Sequence, residues 1–423
     1  MKISRRCFTN TLVGLSTTSL LPKVSFAKGS AKIVIIGGGA GGATAARHLK
    51  KNTPELDVTL VEMEKTYTTC FFSNWYIGGF RSFDQITHRY GKLVSDYGVN
   101  VIHAKATDVD TMVRSVTLDD GTRLSYDKLI LSPGIDFRFE DIEGYDEEVA
   151  QTLPHAYKTG AQVKLLHDQV RALPQGGTVM IVAPPSPYRC PTGPYERASL
   201  IASYLSQHNP SAKIIILDPK SGYPKQVLFE EAWAKYYYGM IDWVGKDFTD
   251  GSIVRVDMRT MEAETGWGDL YQADVMNVIP AQKAGIIAQR AGVTDDTGWC
   301  PVTPGTFASR IAEHVYVIGD SSIADAMPKA AFTANGQARS VVEAVRAELS
   351  GTRMLPNYFN VACWSMLADK DTVKIGATYS VDRTIHKRTN FYISHKGESS
   401  EKRQAMTKEA ADWYRAITKD MFG

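Results

Sequence analysis

The stretch KIVIIGGGAGGATAARHL, residues 32–49, decides the fold class of this 423-residue chain. An apolar run typical of a β-strand leads into a glycine-rich turn and then into a helical pattern. Gly37, Gly39 and Gly42 fit the spacing GxGxxG. In that motif the first glycine allows a tight turn, the second lets the backbone approach a pyrophosphate, and the third lets helix and strand pack closely. The helix N-terminus would then face the phosphates, so the stretch predicts a dinucleotide-binding unit.

Three further signals predict that this dinucleotide is FAD. A second strand, DVTLVE, ends at Glu62, where a carboxylate can accept hydrogen bonds from ribose hydroxyls. YDKLILSPGID (126–136) is a strand that ends in Ser-Pro-Gly, a form typical of flavoproteins with two dinucleotide domains. HVYVIGDSS (314–322) ends in Gly-Asp, and in such flavoproteins the aspartate at the position of Asp320 binds the ribityl chain. The alternative for Asp320 is a turn aspartate that caps a helix. Because all three segments occur in the expected order, the sequence favours FAD over NAD.

A second nucleotide-domain scaffold, made of GGTVMIV, ASLIASYL and AKIIILD, lies between those two segments. Its connecting loop, APPSPYRCPTGPYER (183–197), contains one glycine and five prolines. Proline has no backbone N–H to donate to a pyrophosphate. We therefore expect this domain to keep its fold without binding NAD(P)H, so that another donor supplies the electrons.

Cys190 and Glu196 belong to this loop and are candidate catalytic residues. The prolines would hold the Cys190 thiol in a fixed place beside the flavin ring, and the start of the following helix would favour a thiolate. Glu196 would either manage protons near that sulfur or interact favourably with the helix dipole. The residues leave both interpretations of Glu196 open.

The N-terminal sequence predicts an exported protein. SRRCFTN contains Arg5 and Arg6 and precedes the apolar stretch TLVGLSTTSLL and small residues at Ser25 and Ala27, which is the pattern of a twin-arginine signal. A chance arginine pair before a short buried helix is the alternative. The signal predicts a periplasmic location, and no other stretch is apolar for the ~18 residues of a membrane span.

Charge and cysteine usage argue against several classes of protein. The formal net charge is +2 and no basic run occurs, which argues against a nucleic-acid partner. None of the five cysteines lies in a CxxC, CxxCH or Cys/His metal spacing. The sequence therefore predicts neither a metal site nor a c-type haem on this chain.

Six motifs are distinctive as a set: GGGAGGATAARHLK, YTTCFFSNWYIGG, LPHAYKTG, APPSPYRCPTGPYERAS, GWCPV and MPKAAFTANGQA. Together they resemble the flavoprotein subunit of flavocytochrome c sulfide dehydrogenase across almost the whole chain after the predicted signal, less closely after about residue 365. The resemblance implies that Cys70 is joined covalently to the 8α position of FAD. It also implies that Cys190 and Cys363 form a redox-active disulfide and that Cys300 stays unpaired. Without it, Cys70 would be read as a small buried hydrophobe and a Cys190–Cys363 bridge as a stapling disulfide.

The resemblance also implies an activity, sulfide:cytochrome c oxidoreductase. Hydrosulfide would open the disulfide, so that one cysteine becomes a persulfide and the other a thiolate. Two electrons would reach FAD and pass singly to a c-type cytochrome subunit, with sulfur or polysulfide as the product and a heterodimer as the assembly. Trp413, in a C-terminal stretch with apolar residues at helical spacing, is a candidate to lie between flavin and haem.

Two alternatives remain open from the sequence. A sulfide:quinone oxidoreductase shares the flavin layout, but such enzymes attach to membranes through apolar C-terminal helices, whereas this C-terminus is highly charged. Sulfide oxidation with cytochrome c against decylubiquinone would distinguish the two. The other alternative is a non-catalytic flavoprotein partner of a sulfur-oxidising system. The intact glycine loop, Glu62 and Asp320 argue against it.

The fold class that follows is α/β, with two Rossmann-like dinucleotide-binding domains as in glutathione reductase and a C-terminal interface domain. The predicted boundaries are an export signal over 1–27, the first part of the FAD domain over 31–147, the second Rossmann-like domain with its degenerate NAD loop over 148–290, the second part of the FAD domain over 291–350, and a C-terminal domain that covers the flavin over 351–423.

Overall fold

The computed structural model describes residues 30–158, 160–249, 252–354, 358–382 and 384–423. The predicted export signal over 1–27, with Arg5, Arg6 and Cys7, lies outside the described residues. Within the described ranges, no helix combines the length and the apolar character that a bilayer crossing requires.

The first third of the chain is rich in short strands. In chain order its elements are β1 (Lys32–Ile36), α1 (Gly42–Asn52), β2 (Asp57–Val61), β3 (Thr66–Thr68), α2 (Ser73–Ile77), β4 (Thr87–Arg89), α3 (Gly91–Ser95), β5 (Asn100–Ile102), β6 (Ala106–Asp110), β7 (Ser115–Leu118), β8 (Arg123–Ser125), β9 (Lys128–Leu131) and β10 (Ile135–Phe137).

The middle of the chain alternates helices and strands. Its elements are α4 (Gly160–Arg171), β11 (Thr178–Val182), α5 (Gly193–His208), β12 (Lys213–Leu217), α6 (Gln226–Tyr236), β13 (Ile241–Val244), α7 (Lys246–Thr249), β14 (Ile253–Asp257), β15 (Glu262–Thr265), β16 (Leu270–Gln272), β17 (Val275–Val278), β18 (Gln282–Ala284) and α8 (Ile286–Arg290).

The last part returns to the first domain and then forms a separate sheet. Its elements are β19 (Cys300–Pro301), β20 (Val315–Val317), β21 (Ser322–Ile323), α9 (Ala331–Ser350), β22 (Tyr358–Ala368), β23 (Asp371–Asp382), β24 (Ile385–Ile393) and α10 (Ser400–Phe422).

A parallel sheet with the order β20-β9-β1-β2-β5 carries the predicted dinucleotide segments. Its strands are almost continuously apolar, as expected for a parallel sheet buried on both faces. Because all strands run the same way, their carboxyl ends meet at one edge. The glycine loop, Glu62, Ser132 and Gly319-Asp320 follow those ends, so the fold brings them together from distant parts of the chain.

A second parallel sheet, with the order β13-β12-β11-β17, forms the other nucleotide-domain scaffold. The proline-rich loop leaves the carboxyl end of β11 and leads directly into α5. The predicted fold class, α/β with Rossmann-like dinucleotide-binding domains, is confirmed.

An antiparallel sheet, β22-β23-β24, and the long helix α10 complete the chain. The predicted helical spacing is present: α10 buries a face and leaves Trp413 half-buried. The buried members of that face include Met406, Ala410, Tyr414, Ile417 and Met421.

Asp420, in the last turn of α10, fastens this helix to α1 and α9. Its carboxylate oxygens lie between 2.8 and 3.1 Å from side-chain nitrogens of Arg47, His48, Asn335 and Arg339. Burial tends to raise the pKa of Asp420, but the hydrogen bonds outweigh burial and lower the pKa well below its usual range. The carboxylate therefore stabilises the docked position of the C-terminal helix.

We expect Asp420→Asn to lower the free energy of unfolding by about 3 kcal/mol at neutral pH, because it leaves the buried Arg47 guanidinium without its anion. The folded-state pKa is lowered, so the stabilisation is present above the unfolded pKa of about 3.9 and is lost as pH falls through the folded value. Urea unfolding should therefore show a gap between wild type and variant that narrows below about pH 4.

Asp412→Asn is the matched control, since Asp412 lies exposed on the same helix and pairs with Arg415 at the surface. Such a pair contributes about 1 kcal/mol or less. Equal losses in the two variants would contradict the role given to Asp420.

Candidate active site

The glycine loop contains two kinds of glycine. A Cβ added at Gly37, whose φ is +97°, would lie 2.3 Å from the Ser132 carbonyl oxygen, and one at Gly42 would lie 1.8 Å from the Gly37 carbonyl oxygen. The chain's own packing therefore requires both. At Gly39 the nearest atoms would be those of the Tyr67 ring at 3.5 Å, an ordinary contact. Since Gly39 lines an internal cavity, its small size keeps space for a ligand.

Two carboxylates lie beside this loop. Glu62 accepts hydrogen bonds from the Gly38 N–H at 2.6 Å and the Glu64 N–H at 2.9 Å, and burial raises its pKa. Asp320 is also buried, and among the described residues its Oδ1 has no hydrogen-bond partner. The nearest cation, Arg189, is 3.7 Å from its other oxygen. An unsatisfied buried acceptor at this edge fits a hydroxyl donor such as a ribityl chain.

Two adjoining cavities run from the glycine loop to the cysteines. Glu62 and Asp320 line the first, Cys190 and Cys363 line the second, and Cys70 lies where the two meet. A long cavity with a glycine cradle at one end and sulfur atoms at the other fits an extended dinucleotide whose ring lies near the sulfurs. The residues present therefore fit FAD.

Cys190 is held in an unusual backbone conformation. Its φ is +57°, its N–H donates to the Lys329 carbonyl at 2.8 Å, and its carbonyl accepts from the Gly193 N–H at 2.8 Å. Burial raises the pKa of its thiol, and the nearby Cys363 and Glu196 raise it further. Burial therefore acts against the thiolate that the helix start was expected to favour, and the thiolate at Cys190 stays a prediction.

Cys363, in β22, contributes a second sulfur to the cavity that contains Cys190. Its Sγ lies 3.4 Å from Thr192 Oγ1 and 4.0 Å from Lys225 Nζ. The structure contains no disulfide among the four cysteines of the described residues, so the predicted bond between Cys190 and Cys363 stays a prediction.

Glu196 joins the three cysteine-bearing segments. Its Oε2 accepts from Asn74 Nδ2 at 3.0 Å, and its Oε1 accepts from the Met366 N–H at 2.9 Å. Asn74 lies in α2, shortly after Cys70, and Met366 lies in the same strand as Cys363, β22. Burial raises the pKa of Glu196. Its two oxygens therefore hold segments in place, and the proton-managing role stays a prediction.

The second nucleotide domain fills its own ligand position. Asp218 follows β12, where a Rossmann unit keeps the acid that binds ribose. Here its carboxylate accepts from Tyr195 Oη at 2.5 Å and Trp243 Nε1 at 2.9 Å, and it pairs with Lys220 at 2.6 Å. Tyr195 also stacks on Tyr223 with ring centroids 3.6 Å apart. Side chains of the protein therefore already hydrogen-bond the carboxylate that would bind a ribose.

An aromatic group forms one wall of the sulfur-containing cavity. Trp413 stacks on Phe332 at 5.7 Å between ring centroids and lies 5.3 Å from Trp364, the residue after Cys363.

Cys300 is fully buried, and burial raises the pKa of its thiol to about 12.

Three further residues of the site were not predicted from the sequence: Lys225, Thr192 and Asn74. Thr192 lies two residues after Cys190 within the distinctive loop, so the motif itself pointed to it. Asn74 lies in the Cys70 motif in the same way. No sequence signal marks Lys225, because it reaches the site only through the packing of α6 against β22.

Fold and site together define a flavoprotein of the pyridine nucleotide-disulphide oxidoreductase type. A family of that name matches residues 31–175, the central domain of the sulfide dehydrogenase [flavocytochrome c] flavoprotein chain matches residues 163–280, and the flavin-binding domain of flavocytochrome c sulphide dehydrogenase matches residues 355–422. The chain belongs to the flavocytochrome c sulfide dehydrogenase flavoprotein family.

Individual relatives agree with this family. The sulfide dehydrogenase flavoprotein chain of Chlorobaculum thiosulfatiphilum is 48% identical over 46 residues, which are 11% of this chain and 96% of that sequence. The mitochondrial sulfide:quinone oxidoreductase of Mus musculus is 25% identical over 313 residues, 70% of this chain. The match spans slightly under two thirds of the mouse protein, 66% of its length.

The fold is shared with solved structures at low sequence identity. The sulfide:quinone oxidoreductase of Aquifex aeolicus superimposes with a TM-score of 0.71 at 18% identity, covering 92% of each chain. A ferredoxin reductase from Rhodopseudomonas palustris gives a TM-score of 0.63 at 17% identity, covering 82% of each chain.

We expect Gly39→Ala to reduce flavin content at least tenfold, because the new methyl group would enter the cradle, while the flavin-free protein keeps its stability within about 1 kcal/mol. The flavin-to-protein ratio from visible absorbance and the unfolding of the flavin-free form measure the two effects. Gly91→Ala is the control, since nothing lies within 4 Å of its added Cβ. Full flavin content in Gly39→Ala would contradict the assignment.

Proposed function

We propose that this chain oxidises sulfide to polysulfide or sulfur through Cys190, Cys363 and FAD, and passes the electrons to a c-type cytochrome subunit. The observation that carries the proposal is the sulfur-containing cavity. Cys190 and Cys363, which are 173 positions apart in the sequence, line the same cavity, and this cavity continues into the glycine-loop cavity. The filled ribose position at Asp218 supports an electron donor other than NAD(P)H.

The flavin, when bound, supplies a two-electron acceptor that can release its electrons one at a time. In the proposal, Gly39 makes room for the pyrophosphate, Glu62 accepts from the ribose, and Asp320 accepts from the ribityl chain. Cys70 forms the covalent 8α thioether. Its position at the junction of the two cavities supports that attachment.

Covalent attachment predicts that flavin stays with the protein after acid precipitation, with an added mass equal to FAD. We expect Cys70→Ser to release its flavin into the supernatant, because no thioether can form. Cys300→Ser, which removes a sulfur outside both cavity linings, should keep the flavin bound. Loss of flavin from the precipitated wild-type protein would refute the thioether.

In the proposed reaction, two hydrosulfide ions are oxidised in turn at the Cys190–Cys363 disulfide. Hydrosulfide attacks the Cys190–Cys363 bond, a new S–S bond forms to one cysteine, and the other sulfur leaves with the electron pair. A second hydrosulfide removes the outer sulfur as hydrogen disulfide, HSS⁻, releases one proton and leaves a second thiolate. Re-forming the disulfide releases two electrons. In sum, two hydrosulfide ions give one HSS⁻, one proton and two electrons.

We expect Cys190→Ser and Cys363→Ser each to slow anaerobic flavin bleaching by sulfide by about a hundredfold or more, since either change removes the bond that hydrosulfide attacks. Stopped-flow absorbance measures the rate, and dithionite should still reduce the flavin in both variants. Cys300→Ser is the matched control and should bleach at the wild-type rate. Wild-type bleaching in Cys363→Ser would remove the disulfide from the mechanism.

The electron acceptor is the part of the proposal that depends most on the family. The name of that family implies a cytochrome partner, and we propose a heterodimer in the periplasm, reached through the twin-arginine signal. The alternative acceptor is a quinone, because the mouse and Aquifex relatives are sulfide:quinone oxidoreductases by name. Faster turnover with a c-type cytochrome than with decylubiquinone would support the proposal, and the reverse order would support the alternative.

A further inference from the structure

Lys225 is a buried cation that the proposed chemistry does not use. Lys225 is 3% exposed, and its Nζ donates to Ser365 Oγ at 2.7 Å. The same nitrogen lies 4.0 Å from Cys363 Sγ and 3.4 Å from the Cys363 carbonyl oxygen. Within the described part of the chain, Lys225 forms no salt bridge with a carboxylate.

A buried ammonium group without a carboxylate in salt-bridge contact is unfavourable, because hydroxyl and carbonyl contacts satisfy its N–H donors but not its charge, and Glu196 interacts with Lys225 only at longer range. The cavity sulfur beside it, Cys363 Sγ, can carry a negative charge. Lys225 therefore has a physical reason to favour a thiolate at that position.

The hydroxyl groups around Cys363 orient a second hydrogen-bond donor toward its sulfur. Lys225 can only donate, so Ser365 Oγ accepts from it and donates its own proton to Thr192 Oγ1 at 3.2 Å. The Thr192 hydroxyl proton is then free to point at Cys363 Sγ, 3.4 Å away. Two donors, one of them charged, are thus directed at a single sulfur.

Cys190 has the opposite surroundings. The titratable groups facing the pair are Lys225 before α6, Glu196 in α5 and Cys70 after β3. Burial and the nearby Glu196 raise the pKa of the Cys190 thiol, and these effects outweigh the opposing effect of Lys225. The two sulfurs therefore differ in the charge that their environment favours.

We propose that Lys225, together with Thr192, holds Cys363 as a thiolate whenever its bond to a second sulfur opens, while Cys190 takes up the proton. The inference rests on the proposed function, in which Cys363 leaves with an electron pair once per cycle. If hydrosulfide attacks Cys190, the Cys190–sulfur bond forms and Cys363 leaves at once. If it attacks Cys363, the second hydrosulfide takes the outer sulfur and Cys363 leaves then. A better leaving thiolate speeds either step.

Alkylation of the reduced holoprotein by iodoacetamide, read at each cysteine by peptide mass spectrometry across pH, tests this in the wild-type protein. We expect iodoacetamide to alkylate Cys363 faster than Cys190 at neutral pH, because the thiolate is the reactive form. Equal alkylation rates at the two cysteines would overturn the proposal without any variant being needed.

Lys225→Met keeps an unbranched side chain and removes the charge. We expect alkylation of Cys363 at pH 7 to fall about tenfold or more, because the thiolate loses the positive charge beside it. Sulfide-dependent flavin bleaching should fall similarly and recover as pH rises. Lys225→Arg should retain most of both rates, which a purely structural role for Lys225 would not predict.

Lys374→Met is the matched control, because Lys374 pairs across the sheet with Trp364, next to Cys363, but its charge is compensated by Glu409. Unchanged Cys363 alkylation in Lys225→Met would overturn this inference alone. Absence of sulfide-dependent bleaching in the wild-type protein would instead overturn the proposed function, since the alkylation profile does not depend on sulfide.

Discussion

The hydrogen bonds that Glu196 accepts hold the candidate site together. One carboxylate oxygen accepts from Asn74 and the other from the Met366 backbone, so three segments that are far apart in the chain meet at one side chain. Burying a carboxylate is costly unless donors compensate it, and here those donors come from the segments that carry Cys70 and Cys363. Because Glu196 follows Cys190 by six residues, its contacts align all three sulfurs along the cavity.

Two adjacent residues of α5, Tyr195 and Glu196, have different roles in the second nucleotide domain. Tyr195 donates to Asp218 and stacks on Tyr223, which fills the ribose position, whereas Glu196 faces the sulfur-containing cavity. One turn of helix therefore both occupies the nucleotide position and organises the sulfurs. The charge near each sulfur differs as well, since Lys225 lies beside Cys363 and Glu196 beside Cys190.

Much of this arrangement was predictable because its signals are local. The glycine spacing, Glu62 after β2 and Asp320 after β20 each depend on a strand end and the turn that follows it. The helical period likewise predicted the buried face of α10. The helix start that favours a thiolate at Cys190 is visible in the sequence, whereas the burial that raises the pKa of this thiol is not.

By itself, the sequence determined the α/β class, the dinucleotide loop and the replacement of the second glycine loop by prolines, since each follows from backbone geometry within a few residues. Only the tertiary structure decided that the Asp218 carboxylate is hydrogen-bonded by the protein's own side chains and that Glu196 bridges two distant segments. It also decided that Lys225 Nζ lies 4.0 Å from Cys363 Sγ. Those contacts join residues whose separation along the chain reaches 170 positions, so their existence depends on how helices and sheets pack rather than on any local pattern.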